Sequence, residues 1–413
     1  MNIEKIHSKI KFILLYTWTI IILAQVLKTN FSYIYFPIFF SIFFVICIFI
    51  FQKGFFFKGV DIFTLQIWIF YFLIIYIGAI TFLHGDFNDF LKAFPRMVIM
   101  PLSFIVFINL ISSKEHFQKL IDLILFFSIV AAFSLIYQVY NGPFGFLVEN
   151  HTRLGLDRYA STFGSLTIYG AVVGIITLLV VKKDINIILK FLIITLFLTS
   201  AFVSLAKAAL LNILIVTFFS IFFLKIKNSK FILIFLILFG TALIFFVFPE
   251  LRIYIIKSIE SLGFKPTGEI DMTSNSSFFY QFTKRFFYSV DYLSYFNIKN
   301  LFFGFGLIGG QGVFGLPYSF TGTTHNQFMD LFLIGGVFLF LNIILLVICT
   351  MLELNKIRNK DPLAETFFFC NMIAIINMFF FNGFIYQPVT SIVFWLSIVY
   401  VLNFRANNYK KGL

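Results

Sequence analysis

The stretch TTHNQFMDLFLIGGVFLFLNIILLVICT, residues 323–350, decides the fold. Thr323, Thr324, His325 and Asn326 close a long polar interval that begins near Glu250. An apolar run over 325–352 follows at once. A helix needs about 20 predominantly apolar residues to cross the hydrocarbon of a bilayer. This run is long enough, and the polar interval before it is the longest break in a chain that is otherwise almost continuous hydrocarbon.

Runs of the same kind fall at 11–28, 32–51, 61–82, 97–112, 121–139, 166–181, 186–204, 208–224, 231–248, 366–382 and 388–404. With 325–352 they predict an all-α, polytopic integral membrane protein of about 12 transmembrane helices, because only helices and closed barrels satisfy their backbone in lipid. Composition agrees. Of 413 residues, 60% are hydrophobic and only 12% charged, where a soluble domain carries about a quarter. The 66 phenylalanines suit lipid-facing helices or reflect an A/T-rich gene, and carry no functional weight. Cys47, Cys349 and Cys370 all lie inside apolar runs, at spacings that suit neither a disulfide framework nor a metal site. The basic stretch Met1–Lys11 leads into a long run without a cleavage site, which predicts a retained first helix.

The net charge of +13 points away from nucleic acid, because most of the positive charge flanks apolar runs, where it sets topology. Lys5, Lys9 and Lys11, then Lys53 and Lys58, Lys114 and Lys119, Lys182, Lys183 and Lys190, Lys225, Lys227 and Lys230, Lys356, Arg358 and Lys360, and Arg405, Lys410 and Lys411 all fall on one side. The short segments on the other side hold far fewer. Both termini are therefore expected inside and the long interval outside. The chain divides into helices 1–9 over 1–249, a large outer loop over 250–324, and helices 10–12 with a tail over 325–413. The loop is expected to hold two interfacial helices: one with Leu251, Ile255, Ile259 and Leu262 on its apolar face, the other with Phe279, Phe282, Phe286, Val290 and Leu293. The glycines from Gly304 to Gly315 are expected to form a flexible return towards His325.

Six basic residues and one asparagine are candidates for chemistry. His325 sits at the outer end of a span. It is either an interface marker or a base near water that titrates close to neutrality. Asn326 follows it. Arg285 and Lys284 on the second interfacial helix either snorkel to lipid phosphate or grip a diphosphate, a task suited to the fixed guanidinium fork. Lys207, in Ser204-Leu205-Ala206-Lys207-Ala208-Ala209, lies between two apolar runs with almost no loop. An ammonium so close to hydrocarbon needs a wet cavity, a counter-ion or a snorkelled cap. Arg153 and Arg158 share an outer segment with Glu149 and Asp157, so local pairing competes with ligand binding. Asp86 and Asp89 read as a solvated loop, and Gly335-Gly336 as close helix packing. There is no Walker motif, zinc-ligand spacing, nucleophile elbow or outer acidic cluster. Cations and one base outside the membrane suit a reaction with a diphosphate leaving group and an alcohol nucleophile.

At these residues the chain resembles the O-antigen polymerase and O-antigen ligase superfamily of bacterial envelope glycosyltransferases. The resemblance rests on about twelve spans with one large loop before the last few, and on His325-Asn326 followed by a glycine pair. It rests also on Arg285 ahead of Phe303-Gly304-Phe305-Gly306, and on the segment Arg158 to Gly164. Where many members carry an arginine at the short outer turn after a serine-containing helix, this chain has Lys207, which keeps the charge and loses the bidentate fork.

The resemblance implies a GT-C-like fold in the bacterial inner membrane with a periplasmic active site. It implies a polymerase of undecaprenyl-diphosphate-linked oligosaccharides that uses no metal or other cofactor. His325 would act as base, Arg285 and Lys207 as diphosphate clamp, and Arg153, Arg158, Lys284 and Asn326 as substrate ligands. The partners implied are the lipid-linked oligosaccharides, the lipid bilayer and a chain-length regulator protein. A ligase acting on lipid A-core needs the same residues and stays open. A flippase would predict internally repeated halves and mid-membrane charge, and neither is found. A structural scaffold would leave Lys207 unexplained.

Overall fold

The structure, a computed structural model, describes residues 3–24, 32–51, 62–84, 87–145, 150–153, 155–164, 168–223, 240–242, 245–261, 298–306, 326–379, 385 and 387–411. Every expected apolar span except 231–248, which lies mostly outside the described residues, coincides with a helix. In chain order these are α1 (Ile3–Leu23), α2 (Ser32–Phe51), α3 (Ile62–His84), α4 (Phe87–Leu110), α5 (Lys114–Asn141), α6 (Ile168–Lys182), α7 (Ile187–Val203) and α8 (Lys207–Phe222). After them come α9 (Pro249–Ser261), α10 (Ile298–Phe303), α11 (Gln327–Ile357), α12 (Pro362–Met378) and α13 (Pro388–Lys411). Three helical stretches among the described residues are long and apolar enough to cross a membrane: Phe63–Leu83, Lys114–Asn141 and Gln327–Ile357. Several other apolar helices are shorter. On α11, Phe338, Leu341, Leu345, Ile348 and Leu352 recur every three or four residues and stay about half exposed, whereas Leu339, Ile343 and Leu346 are fully buried. An apolar stripe left on the outside of a helix whose other face is already packed is what lipid contact requires.

Two details depart from the sequence reading. α4 starts ten residues earlier than expected, so Asp89, Lys92 and Arg96 lie on a helix. The helical fold also carries one antiparallel hairpin, β1 (Asn150–Arg153) and β2 (Leu156–Tyr159), with His151 opposite Arg158 and Thr152 opposite Asp157. Its residues are mostly polar, with Leu156 and the buried Tyr159 on opposite faces, so no alternation betrays a strand.

The chain forms two compact units, each made of two sequence pieces. Met1–Phe49 with Ser113–Gln281 makes the first and Ile50–Ser112 with Phe282–Leu413 the second. In the first unit the tightest seam joins α6 to α8. Gly170 and Gly174 form a small-xxx-small pair that lets two membrane helices approach closely. A Cβ at Gly170 would stand 2.8 Å from the Cβ of Ala206, and one at Gly174 2.8 Å from the Cβ of Asn212. The Asn212 Nδ2 donates to the Gly170 carbonyl at 2.8 Å, a polar clasp across the seam. This seam fixes the axis of α8, and therefore the place of Lys207 at its first residue. Gly174→Leu is expected to pry the pair apart at a cost of about 2–3 kcal/mol, read as a lower aggregation temperature in detergent. Wild-type heat tolerance would refute the seam.

In the second unit, Trp395 is fully buried against the rings of Phe70 and Phe104, 5.4 and 5.8 Å between centroids. The Tyr71 hydroxyl donates to the Pro101 carbonyl at 2.6 Å, tying α3 to α4. The Asn342 Nδ2 donates to the Gln66 carbonyl at 3.0 Å, tying α11 to α3. Asp361 is buried, caps α12 through the Leu363 N–H, and accepts from the Tyr400 hydroxyl.

The most unusual joint of this unit is a break in α11. Gly336 sits at φ 63, ψ −161, inside an otherwise continuous helix. The break strands carbonyls that the next turn would have bonded. They are taken by backbone from just beyond α10: Phe305 N–H donates to the Leu333 carbonyl at 2.7 Å, and Gly306 N–H to the Ile334 carbonyl at 3.0 Å. Gly304, Phe305 and Gly306 are all buried. The sequence places Gly304 and Gly306 in a flexible return; they are instead part of a fixed rung in a broken helix, and Gly309, Gly310, Gly312 and Gly315 lie outside the described residues. Irregular backbone in an apolar helix is tolerated where protein covers it, and Gly335 and Gly336 are buried.

Candidate functional site

The candidate site is built at the polar end of the first unit, where β2, the α7–α8 connection and α9 meet. α7 ends at Val203 and α8 begins at Lys207, so only Ser204, Leu205 and Ala206 join two apolar helices. The last carbonyls of a helix have no donors within it. Here two of them are served by other elements. The Ser258 hydroxyl on α9 donates to the Phe202 carbonyl at 2.9 Å, and Arg158 Nε on β2 donates to the Ser204 carbonyl at 2.8 Å. A guanidinium at a helix C-terminus also meets the negative end of the helix dipole.

The connection itself is strained. Leu205 has φ 49 and is the one non-glycine residue with positive φ among those described. It is 1% exposed, so solvent does not hold it there. The Leu205 N–H reaches the Phe202 carbonyl at 3.1 Å. The Ser204 hydroxyl donates to the Ala201 carbonyl at 2.8 Å and accepts from the Ala206 N–H at 3.3 Å. Backbone held off its preferred region costs about 1–3 kcal/mol and persists only when its surroundings over-determine it. The product of all this bracing is a half-buried Lys207 at the first residue of α8, a position where backbone N–H groups point outward.

α9 closes the site from the side. The Tyr254 hydroxyl donates to the Asp157 carbonyl at 2.9 Å, and Lys257 pairs with Glu260 at 2.9 Å on the same helix. Burial lifts the Tyr254 phenol well above its usual pKa, with Tyr159 beside it as a lesser cause. Burial lifts Tyr159 too. Both rings are therefore neutral at ordinary pH and act as hydrogen-bonding struts, not bases. Leu251, Tyr254, Ile255 and Ser258 are buried, while Ile253, Ile256 and Ile259 are exposed. The expected face of this helix is thus divided. Leu251 and Ile255 pack inward with Tyr254 and Ser258, and Ile259 joins a second apolar arc outside.

Of the residues singled out from sequence, the structure brings Arg158 and Lys207 to the two sides of one short turn. The register of the hairpin puts positions 153 and 158 on the same face; the side chain of Arg153 lies outside the described residues. His325, Arg285 and Lys284 also lie outside them. Asn326 caps α11: its Oδ1 accepts from Phe328 N–H at 3.0 Å and Met329 N–H at 3.3 Å. Next to it, the Gln327 Oε1 accepts from the Ile385 N–H at 3.2 Å, fastening the α12–α13 connection to the start of α11. Tyr254, Ser258 and Leu205 belong to the site and were not singled out. A tyrosine and a serine one turn apart, breaking the apolar face of α9 at 254 and 258, were the signal available.

Among the described residues no group of three or more His, Cys, Asp and Glu could hold a metal ion. Chemically, the turn places a half-buried lysine at the first residue of a helix, and a cation beside outward-pointing backbone N–H groups favours phosphate-type anions. Fold and site together give a helical protein, with three described helices long and apolar enough to cross a membrane, and a braced turn that leads into Lys207. No protein-family model matches the chain, and no curated protein matches it in sequence.

Proposed function

We propose that this protein is a membrane glycosyltransferase of the O-antigen polymerase type, joining undecaprenyl-diphosphate-linked oligosaccharides at the periplasmic face of the bacterial inner membrane. The acceptor hydroxyl oxygen attacks the anomeric carbon of the donor glycan. The bond from that carbon to the diphosphate breaks, and undecaprenyl diphosphate leaves with the electron pair. His325 takes the proton of the hydroxyl. Arg285 and Lys207 hold the donor diphosphate and stabilise the charge that develops on it, with Lys284 beside Arg285 and Arg153 on the acceptor side. The termini are cytoplasmic, and the energy comes from the diphosphate bond.

The observation that carries this reading is Lys207. A cation at the first residue of an apolar helix, on a strained and cross-braced turn, is expensive to build for structure alone. The reading is tested in a deletion strain complemented with wild-type protein or His325→Ala and examined on a lipopolysaccharide gel. The expected result is that wild type restores the ladder while His325→Ala leaves a single repeat unit on the core. Loss of every repeat would mark the ligase instead. A normal ladder from well-expressed His325→Ala would remove the histidine from the mechanism.

A further inference from the structure

We infer that Arg158 is a positioning residue for Lys207, holding the turn on which the lysine stands instead of binding the acceptor substrate. This rests on the reading that Lys207 grips the donor diphosphate. Arg158 spends Nε, the nitrogen at the root of its fork, on the Ser204 carbonyl at 2.8 Å. That carbonyl lies one residue before Leu205, at φ 49, and three before Lys207. A left-handed leucine relaxes unless its neighbours are pinned. On the upstream side the pins are Ser258 on the Phe202 carbonyl and Arg158 on the Ser204 carbonyl. On the downstream side the Ser204 hydroxyl holds the Ala206 N–H.

Two of the three pins come from other elements, β2 and α9, so the turn registers whether the hairpin and α9 are seated. A lysine at 158 would keep the charge but not the in-plane Nε–H, since an ammonium on a flexible stem cannot reproduce the guanidinium's geometry.

The test uses the full-length protein in detergent and an amine-acylating reagent, with the rate at Lys207 read by peptide mass spectrometry. Lys356, exposed on α11, serves as internal reference. Arg158→Lys is expected to raise the Lys207 rate about tenfold, the equivalent of one hydrogen bond to a charged group. Adding Leu205→Gly, which makes the left-handed backbone intrinsically accessible, is expected to return the rate most of the way to wild type. An unchanged rate in Arg158→Lys overturns the inference. So does an equal rise with and without Leu205→Gly. If Arg158→Lys fails to accumulate, Ser204→Ala removes a second pin from the same turn and leaves every charge in place. It is expected to raise the Lys207 rate, and no rise overturns the inference. A Lys207→Ala protein that still polymerises would sink the functional reading while leaving this rate measurement intact, so the two failures are distinguishable.

Discussion

Gly336→Ala is expected to destabilise the protein by about 4 kcal/mol. At φ 63, ψ −161 the residue occupies backbone space open essentially to glycine alone. A Cβ there would stand 2.3 Å from the carbonyl carbon and oxygen of Phe302 and 2.6 Å from the nitrogen of Phe303. These are backbone atoms of α10 and cannot swing aside. The methyl therefore either straightens α11 or expels α10. Both outcomes break the bonds that Phe305 and Gly306 make to the Leu333 and Ile334 carbonyls. Each broken bond costs about 1 kcal/mol, and more where the freed group stays buried. Gly304→Ala should behave alike, since its Cβ would meet the Ile334 oxygen at 2.4 Å. Gly145→Ala, with nothing within 4 Å, is the control and should fall within about 0.5 kcal/mol of wild type. Thermal unfolding of purified protein followed by tryptophan fluorescence reads all three, and a Gly336→Ala melting curve superimposed on wild type would refute the lock.

That lock shows where sequence reading stops. Helices are local: the apolar runs from Ser32 to Phe51 and from Ile187 to Val203 carry their own signal, because burial by lipid or protein requires about the same residues. Gly335-Gly336 was legible as a point of close packing, but its partner was not. Gly304 and Gly306 lie thirty residues upstream, and a glycine announces backbone freedom without saying what will use it. The same holds on α9. Its period was legible, yet the helix has two apolar arcs. Only the fold could decide that Leu251 and Ile255 face protein while Ile259 stays exposed. Arg158 is the sharpest case. Its position in a polar segment suggested a ligand or a local ion pair. Its bond is to a backbone carbonyl 46 residues away, and a carbonyl has no side-chain signature. The hairpin was hidden for a related reason: short, mostly polar strands lack the alternation that one fully buried face imposes. Lys207 was found because charge beside hydrocarbon is costly wherever it occurs.

Lys207→Ala is expected to lower the rate of glycan transfer about 100-fold while leaving the fold intact. A preorganised donor aimed at charge that develops in a transition state is worth a factor of this size. The side chain is only half-buried, so the loss should appear in turnover and not in expression. Lys207→Arg keeps the charge and adds a fork. It should retain much of the activity, because Arg158, Ser204 and Ser258 keep their bonds to the turn in this variant.

The account's central claim is that a fixed cation at the head of α8 promotes departure of a lipid diphosphate. It is tested most directly by supplying purified protein with undecaprenyl-diphosphate-linked repeat units, extracted from the deletion strain, and measuring release of free undecaprenyl diphosphate over time. Wild type should release it with concurrent growth of the glycan, and Lys207→Ala should do so about 100-fold more slowly. Release by Lys207→Ala at the wild-type rate, or no release by wild type, would contradict the account.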